Sequence, residues 1–380
     1  MFLVLEQVFL KKSKNILQYS IFIVLFISFL YSYYFNINFK SKYSNENIIY
    51  GYINYYLIDG NKLTIELSAK EKLIANYYFN SIEELNEFKQ NYKLGDYIVI
   101  KGNLVLPSSN TIFNTFNYKE YLKYEHINYL FDIDDIKRIE ANTKIIYKIK
   151  NYIIEKVDEN INKEYLYTFI LGNSKYINSN IMDSYRINGI SHLFSVSGMH
   201  ISLISAIILK LFNKFKIKNI LVVITIIFYM FLTNFSPSIL RAGIFYMLLL
   251  IKKKFNLNIS NTMLMILLLA ICIFIDPFII YKIGFQYSYV ISFTLILFNK
   301  TISNENGKIK KLFIISFISF VVSIPITINN FFQINFLSII LNIFFVPIVS
   351  LFLFPISLIS IIIPIPYLNE LKHFRSSADY

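Results

Sequence analysis

The chain has one cysteine in 380 residues. Cys272 lies in an apolar run, and a single thiol excludes an intramolecular disulfide. Histidine is almost as scarce, with His126, His192, His200 and His373 scattered along the chain, so no metal-ligand cluster can be assembled. Gly307-Lys308 lacks the upstream glycine of a phosphate-binding loop, which leaves no sign of nucleotide hydrolysis. No cofactor is implied. Internal repeats of the kind secondary transporters carry are not visible. Charge is sparse at 16% of residues, and Leu312 to Asn369 has none.

What the chain does have is apolar. It is 55% hydrophobic with a mean hydropathy of +0.50, the composition of a polytopic membrane protein with a modest soluble part. The bias towards Ile, Phe, Tyr, Asn and Lys fits an A/T-rich genome, and nothing is read into Ile against Leu. The net charge of +13 would suit a nucleic-acid binder, but its placement speaks for topology. Lys11, Lys12 and Lys14 precede the first apolar run. Lys210–Lys218, Lys252–Lys254 and Lys308–Lys311 fill every second loop after residue 190, whereas the turns near 234–237, 276–277 and 329–335 carry no lysine. This is the positive-inside pattern, and it puts the N-terminus and the three clusters in the cytoplasm.

In chain order, residues 1–15 read as a cytoplasmic N-terminus and 16–35 as a transmembrane anchor. The Ile16–Phe35 run is long enough for one span. It is long for a signal sequence, and no small-residue cleavage site follows it. Residues 45–141 are polar and strand-rich. Ile48–Ile58 and Leu63–Leu67 flank Asp59-Gly60, a hairpin signal. Leu73–Phe79, Tyr97–Leu106 and Ile127–Ile139 read as further strands, and Ser81 with Glu84 as the capping box of a helix ending near Gln90. Three strands, a helix and two strands is the order of an OB-fold barrel. One span separates this module from Lys11–Lys14, which makes it extracytoplasmic.

Such barrels bind single strands through basic grooves and stacking aromatics. Tyr52, Tyr77 and Tyr97 are the stacking candidates. Against this, the module has 10 Lys/Arg and 14 Asp/Glu, a net of −4, where a DNA binder has a basic footprint. The alternative is that the aromatics fill a small barrel core. Residues 143–188 read as an amphipathic interfacial helix, with Ile146, Ile149, Ile153 and Val157 at helical spacing, followed by a connector of short helices. Residues 189–366 read as a multi-span domain of about seven helices, and 367–380 as a tail. The expected fold class is a polytopic α-helical membrane protein with an inserted extracytoplasmic OB-like β-barrel module, in the cell (plasma) membrane.

Gly189–Ile204 opens the multi-span domain and carries two histidines and four serines. Polar groups at membrane depth face a bundle interior or a wet path. His192 and Ser195 are one helical turn apart and share a face, and His200 falls roughly 80° from His192 on a regular helix. Ser197-Gly198 between them can loosen or break that helix. Arg241 opens a later span, where it either snorkels to the interface or faces a cavity. Gln286, Ser288 and Asn342 are lone polar groups in apolar runs. For all of these, hydrogen bonding between packed helices is the alternative to lining a path.

The stretch His192–His200, HLFSVSGMH, resembles the signature of the ComEC/Rec2 family of competence proteins. Ser236–Ala242, then Asp276-Pro277 with Gly284–Ser288, then Leu337–Pro347 match the same family in order, and Phe116–Leu122 resembles its F-[DN]-Y-x-x-Y-L element. The resemblance implies an inner-membrane channel that passes single-stranded DNA into the cytoplasm during natural competence. It implies channel-lining candidates His192, Ser195, Ser197, Gly198, His200, Arg241, Gln286 and Asn342, with Arg241 pairing with passing phosphates. The partners expected are single-stranded DNA, membrane lipid, a DNA receptor, a cytoplasmic helicase or ATPase, a separate nuclease and a second copy of the chain. Longer family members carry a C-terminal metallo-β-lactamase-like domain, a suspected nuclease. This chain ends at Tyr380 without it, and the expectation is a channel that is not an enzyme; the alternative is an incomplete family member that no longer imports DNA. Two other classes stand beside this reading: a small-solute transporter, and an intramembrane hydrolase using Ser197 with His192 or His200. Neighbours in one short helix rarely reach each other as nucleophile and base, and no oxyanion hole is legible.

Overall fold

A computed structural model describes residues 2–110, 115–160 and 162–362, with side chains from residue 18 onward. The side chains of Lys11, Lys12 and Lys14, residues 363–366 and the 367–380 tail lie outside the described residues. The chain divides into two compact units: Ile37–Lys156, and Met1–Asn36 with Val157–Tyr380.

Helix α1 (Phe2–Asn38) leads to five strands: β1 (Ile48–Asp59), β2 (Lys62–Ser68), β3 (Lys72–Tyr78), β4 (Tyr97–Val105) and β5 (Leu130–Glu140). They close a barrel in the order β1-β2-β3-β5-β4, the OB-fold arrangement. Alternation produces the barrel: Ile49 and Ile53 point in, while Ile48, Tyr50 and Tyr52 point out. Leu63, Ile65, Leu67, Leu73, Ile98 and Phe131 complete a core closed to solvent. Strand β1 pairs with β4 along its first half and with β2 along its second. A bulge between Ile53 and Tyr55 turns it from one partner to the other. The hairpin at Asp59–Lys62 needs a left-handed residue, and Gly60 supplies it with φ +59°.

Helix α2 (Ile82–Asn91) joins β3 to β4, and its buried Phe88 packs on Tyr56 and Phe79. The Ser81 hydroxyl accepts the Glu84 N–H at 3.2 Å. The other half of the expected capping box is displaced by one residue. The Glu84 carboxylate accepts the N–H of Asn80, not of Ser81, at 2.8 Å, and it also accepts the Tyr77 hydroxyl. Helix α3 (Tyr118–Tyr124) follows β4 and is capped by Asn117.

Helix α4 (Ile145–Asp158) packs on the barrel with an unexpected face. Its apolar stripe is turned out over the first half of the helix, where Ile145, Ile146, Ile149 and Tyr152 are exposed, while Ile153 is half-buried and Val157 is closed to solvent. The face against the barrel is partly polar. Asn151 accepts the Leu94 N–H at 3.2 Å and donates to the Leu94 carbonyl at 3.0 Å. Beside it Lys150 is 3% exposed. Tyr147 and Ile154 supply the apolar contact.

The second unit is helical. After α5 (Lys163–Ile170) and α6 (Ser179–Ile187) come α7 (Gly198–Leu211), α8 (Lys218–Leu232), α9 (Pro237–Lys254), α10 (Asn261–Ile275), α11 (Ile283–Leu297), the short α12 (Asn299–Asn304), α13 (Lys308–Phe331), α14 (Leu337–Ile348) and α15 (Phe354–Ile362). Gln18–Asn38, Lys308–Phe331 and Leu337–Ile361 are long and apolar enough to cross a membrane, by length and composition. The last of these runs through a π-helical turn at Val349–Leu353. It follows Pro347, whose missing N–H breaks the regular ladder. Helices α7, α8, α10 and α11 are shorter than spans, at 14 or 15 residues. That is about 21–23 Å of helix against ~30 Å of hydrocarbon. The core joins Phe169, Ile201, Ile226, Tyr229, Ile239 and Phe354. Ile21 of α1 packs with Ile259, Met263 and Leu264.

Burial pulls the Lys150 ammonium down to about 8, and the negative charge of Glu66 offsets this only in part. The native state therefore holds fewer protons than the unfolded chain between about pH 8 and the ordinary lysine value near 10.5, so stability rises with pH across that window. The full penalty stands below pH 8. Lys150→Met is expected to stabilise the barrel at pH 7 by on the order of 2–3 kcal/mol. The gain should vanish above about pH 10.5. The urea midpoint for protease cleavage within the barrel, in the full chain, measures it; a pH-independent difference would contradict the assignment.

Candidate functional site

The sequence stretch around His192 is not one helix. Ser191–Phe194 is a single 3₁₀ turn, Ser195 and Ser197 are extended, and α7 begins at Gly198. His192 and Ser195 therefore do not share a helical face, and the angle to His200 has no meaning across the break. Ser195 Oγ donates to the His192 carbonyl at 2.9 Å, and both residues are exposed. The break is built by α7's own cap. His200 Nδ1 accepts the Ser197 N–H at 2.9 Å, and the Ser197 side chain receives the third N–H of the helix. This is a capping box with histidine in the place of glutamate.

The cap has a chemical consequence. A nitrogen that accepts an N–H carries no proton, so in neutral His200 the proton sits on Nε2. The imidazole is closed to solvent and packs on Phe354 at 4.3 Å and Phe169 at 5.7 Å. Ser197 Oγ does approach His200 Nδ1, at 3.5 Å, which sequence reasoning did not expect of neighbours. However, that nitrogen is already occupied by the backbone, so the pair is a cap and not a nucleophile with its base.

Arg241 is buried within the helical unit. It sits in the first turns of α9, behind Ser236 and Pro237, and is 7% exposed. Its Nε donates to Ser288 Oγ of α11 at 2.7 Å. Among the described residues no carboxylate lies within ion-pair reach of it. On its other side the guanidinium lies against the start of α7: a Cβ at Gly198 would stand 2.8 Å from an Arg241 Nη and 3.2 Å from the Ala242 Cβ. Gly198 is thus a residue of close approach, and α7, α9 and α11 meet at this one side chain. Ser238 Oγ donates to the Gly284 carbonyl at 3.4 Å, a second tie between α9 and α11. Gln286 Nε2 donates to the Ile280 carbonyl at 2.9 Å. Lys282, at the same helix start, pairs with Asp276 at 3.0 Å.

Buried side-chain atoms without a partner among the described residues include His200 Nε2, Ser236 Oγ and Asn342 Oδ1. Buried polar atoms are usually satisfied, and each exception calls for an explanation. No group of three or more His, Cys, Asp or Glu that could hold a metal is found among the described residues. Of the three tyrosines singled out in the barrel, Tyr52 and Tyr97 lie together with ring centroids 4.8 Å apart. Tyr77 is elsewhere. Its phenol is tied to the Glu84 carboxylate, which pushes it up to about 12. Sequence reasoning missed the Arg241–Ser288 and Gly198–Arg241 contacts, for which the chain offers no local signal.

A family model described as competence protein matches residues 169–373, more than half of the chain. The chain belongs to the competence protein family. Gly198, His200, Arg241, Ser288 and Asn342 all lie inside the matched region. ComE operon protein 3 of Bacillus subtilis (strain 168) is 24% identical over 310 residues, covering 78% of this chain and 40% of that protein. The Uncharacterized protein MG316 homolog of Mycoplasma pneumoniae is 28% identical over 222 residues, covering 54% of this chain and 57% of that one. The chain thus spans about half the length of the curated relatives it matches. Among solved structures, OBody AM3L09 bound to hen egg-white lysozyme matches 25% of this chain and 81% of its own at 10% identity and a TM-score of 0.19. A putative aspartyl-tRNA synthetase from Leishmania major Friedlin matches 45% and 29% at 10% identity and a TM-score of 0.20. Scores this low carry no argument, and the OB-fold assignment rests on the barrel's own strand order.

Two substitutions test the geometry. Gly198→Ala would ordinarily favour a helix by about 0.5–1 kcal/mol. Here it is expected to lower the thermal stability of the purified protein, and to become neutral or stabilising when Arg241→Ala removes the clashing group. Additive effects would contradict the contact. His200→Gln keeps an acceptor for the Ser197 N–H and should be more stable than His200→Ala, which loses the cap at about 1 kcal/mol.

Proposed function

We propose that this competence-family membrane protein is the channel component that passes single-stranded DNA across the plasma membrane, with Arg241 as the group that meets the phosphates. The observation that carries this reading is the guanidinium itself. It is buried among apolar helices, has no carboxylate partner among the described residues, and lies beside the N-terminal end of α7. A helix N-terminus is itself a positive pole. Two positive features brought together in a low-dielectric setting repel unless an anion joins them. A phosphodiester fits, because it can accept charge-assisted hydrogen bonds from guanidinium and backbone N–H alike. The unpartnered atoms at His200, Ser236 and Asn342 support a route that holds water or substrate. In this reading His192, Ser195, Ser197 and Gln286 shape the route's entrance and its helix breaks and supply no chemistry.

The Bacillus subtilis relative is named as a protein of the ComE operon, and the competence protein family match supports the same assignment. A DNA receptor, a cytoplasmic helicase or ATPase, a separate nuclease and a second copy of the chain are the partners such a channel calls for. A small-solute transporter would also need a wet path, but nothing in the site favours it over a phosphate route. For the hydrolase reading, the occupied Nδ1 of His200 leaves Ser197 without a base in this conformation. The lysine alternation supports an orientation with the barrel outside.

Arg241→Ala is expected to abolish transformation, normalised to membrane-inserted protein. Arg241→Lys should retain part, since charge survives but the planar fork does not. Ser197→Ala should be mild. Normal transformation by Arg241→Ala would remove the phosphate assignment. For orientation, a cysteine at Asn61 in a Cys272-free background should react with an impermeant thiol reagent in intact cells, and one at Lys253 only after permeabilisation. The reverse pattern would refute it.

A further inference from the structure

Helix α4 and the outer face of β1 and β4 carry one more surface. A helix packed on a water-soluble barrel normally turns its apolar stripe inward. Here Ile145, Ile146, Ile149 and Tyr152 face out, and the barrel side carries the buried Lys150 together with Tyr147 and Ile154. The apolar strip does not end with the helix. The ammonium of Lys144 lies over the Tyr52 ring at 5.6 Å, Tyr52 packs on Tyr97 at 4.8 Å, and Tyr97 stacks with Tyr50 at 6.5 Å. Tyr50 and Tyr52 are both exposed, as is Ile48 on the same face of β1. Lys144, the residue before Ile145, thus links the isoleucine face of α4 to the exposed tyrosines of β1, and Lys148 and Tyr152 flank that face beside Asp96, Arg138 and Glu155.

We propose that this strip is a lipid-facing surface on which the barrel rests against an anionic bilayer, and that Tyr52 and Tyr97 serve it in place of DNA bases. Three observations favour lipid. The chain enters the barrel ten residues after a candidate span that ends at Asn38, and α4 leads straight on to the second helical unit, so the module is tethered at both ends. Tyrosines at the polar boundary, aliphatic residues inward and lysines alongside are the composition of an interface-lying helix. This packing buries an ammonium and leaves four large apolar side chains exposed, and an apolar medium outside the barrel offsets that loss. A nucleic-acid groove would instead need a basic surface, which a module of net −4 over residues 45–141 does not offer. The inference concerns lipid contact and stands apart from the DNA-channel reading.

The chain contains no tryptophan, so one introduced residue reports alone. Full-length protein with Ile149→Trp, Tyr52→Trp or, as a control on the exposed start of α2, Ile82→Trp is reconstituted into vesicles containing anionic lipid and lipid brominated along the upper acyl chain. The Ile149 and Tyr52 reporters should lose about half their emission to the bromines, the Ile82 reporter almost none. Lys144→Gln with Lys148→Gln should reduce that quenching in anionic vesicles. Water-like, unquenched emission at Ile149 would overturn the proposal. So would blue-shifted but unquenched emission, the mark of a protein-covered site. Equal quenching at all three positions, or quenching of Tyr52→Trp by added single-stranded oligonucleotide and not by lipid, would also overturn it.

Discussion

A buried guanidinium with no carboxylate partner among the described residues is the constraint around which the helical unit is arranged. Taking a charge out of water is expensive, and leaving it unpaired more so. Arg241 is nonetheless buried, and its neighbours are adapted to hold it there. Gly198 lacks the side chain that would collide with it, Ser288 accepts its Nε–H, and Pro237 starts its helix where a missing N–H costs nothing. The end of α7 that it touches is fixed by the His200–Ser197 cap. A helix break and a buried cation in apolar surroundings are both costly, and here they coincide. Departures of this kind from an apolar, regular interior are expected at functional sites.

The barrel was legible in the sequence because its signals are local. Alternation of period two, the Asp59-Gly60 turn and the Ser81 cap each lie within a few residues, and the structure places strands and helix where they read. The chemistry of the helical unit is less local. The serine-rich start of the domain was legible as a place where a helix could break, but the break's position depends on His200 reaching back to a backbone N–H. Periodicity alone instead aligned His192 with Ser195 on a helix that is not there. Arg241 and Ser288 are 47 residues apart, and no pattern in either segment points to the other. The family's motifs marked both stretches without saying that they touch.

Helix α4 illustrates a different limit. Its stripe of isoleucines was plain from spacing, yet spacing does not say which side meets protein. The barrel took the side with Asn151 and Lys150, because Asn151 satisfies both backbone groups of Leu94 at once. Two satisfied buried groups outweigh exposed methylenes when the medium outside is not bulk water. Hydrophobic helices of 14 or 15 residues in the second unit make the same point about length. Composition marks them as belonging to a membrane protein, while their ends are set by caps and turns that hydropathy does not register.

The measurement that bears most directly on the central claim is uptake of labelled double-stranded DNA by cells lacking this protein. Surface-bound label should accumulate normally in the deletion strain, with no nuclease-protected label in the cytoplasm, and expression of the intact chain should restore it. Wild-type internalisation without the protein would contradict the account.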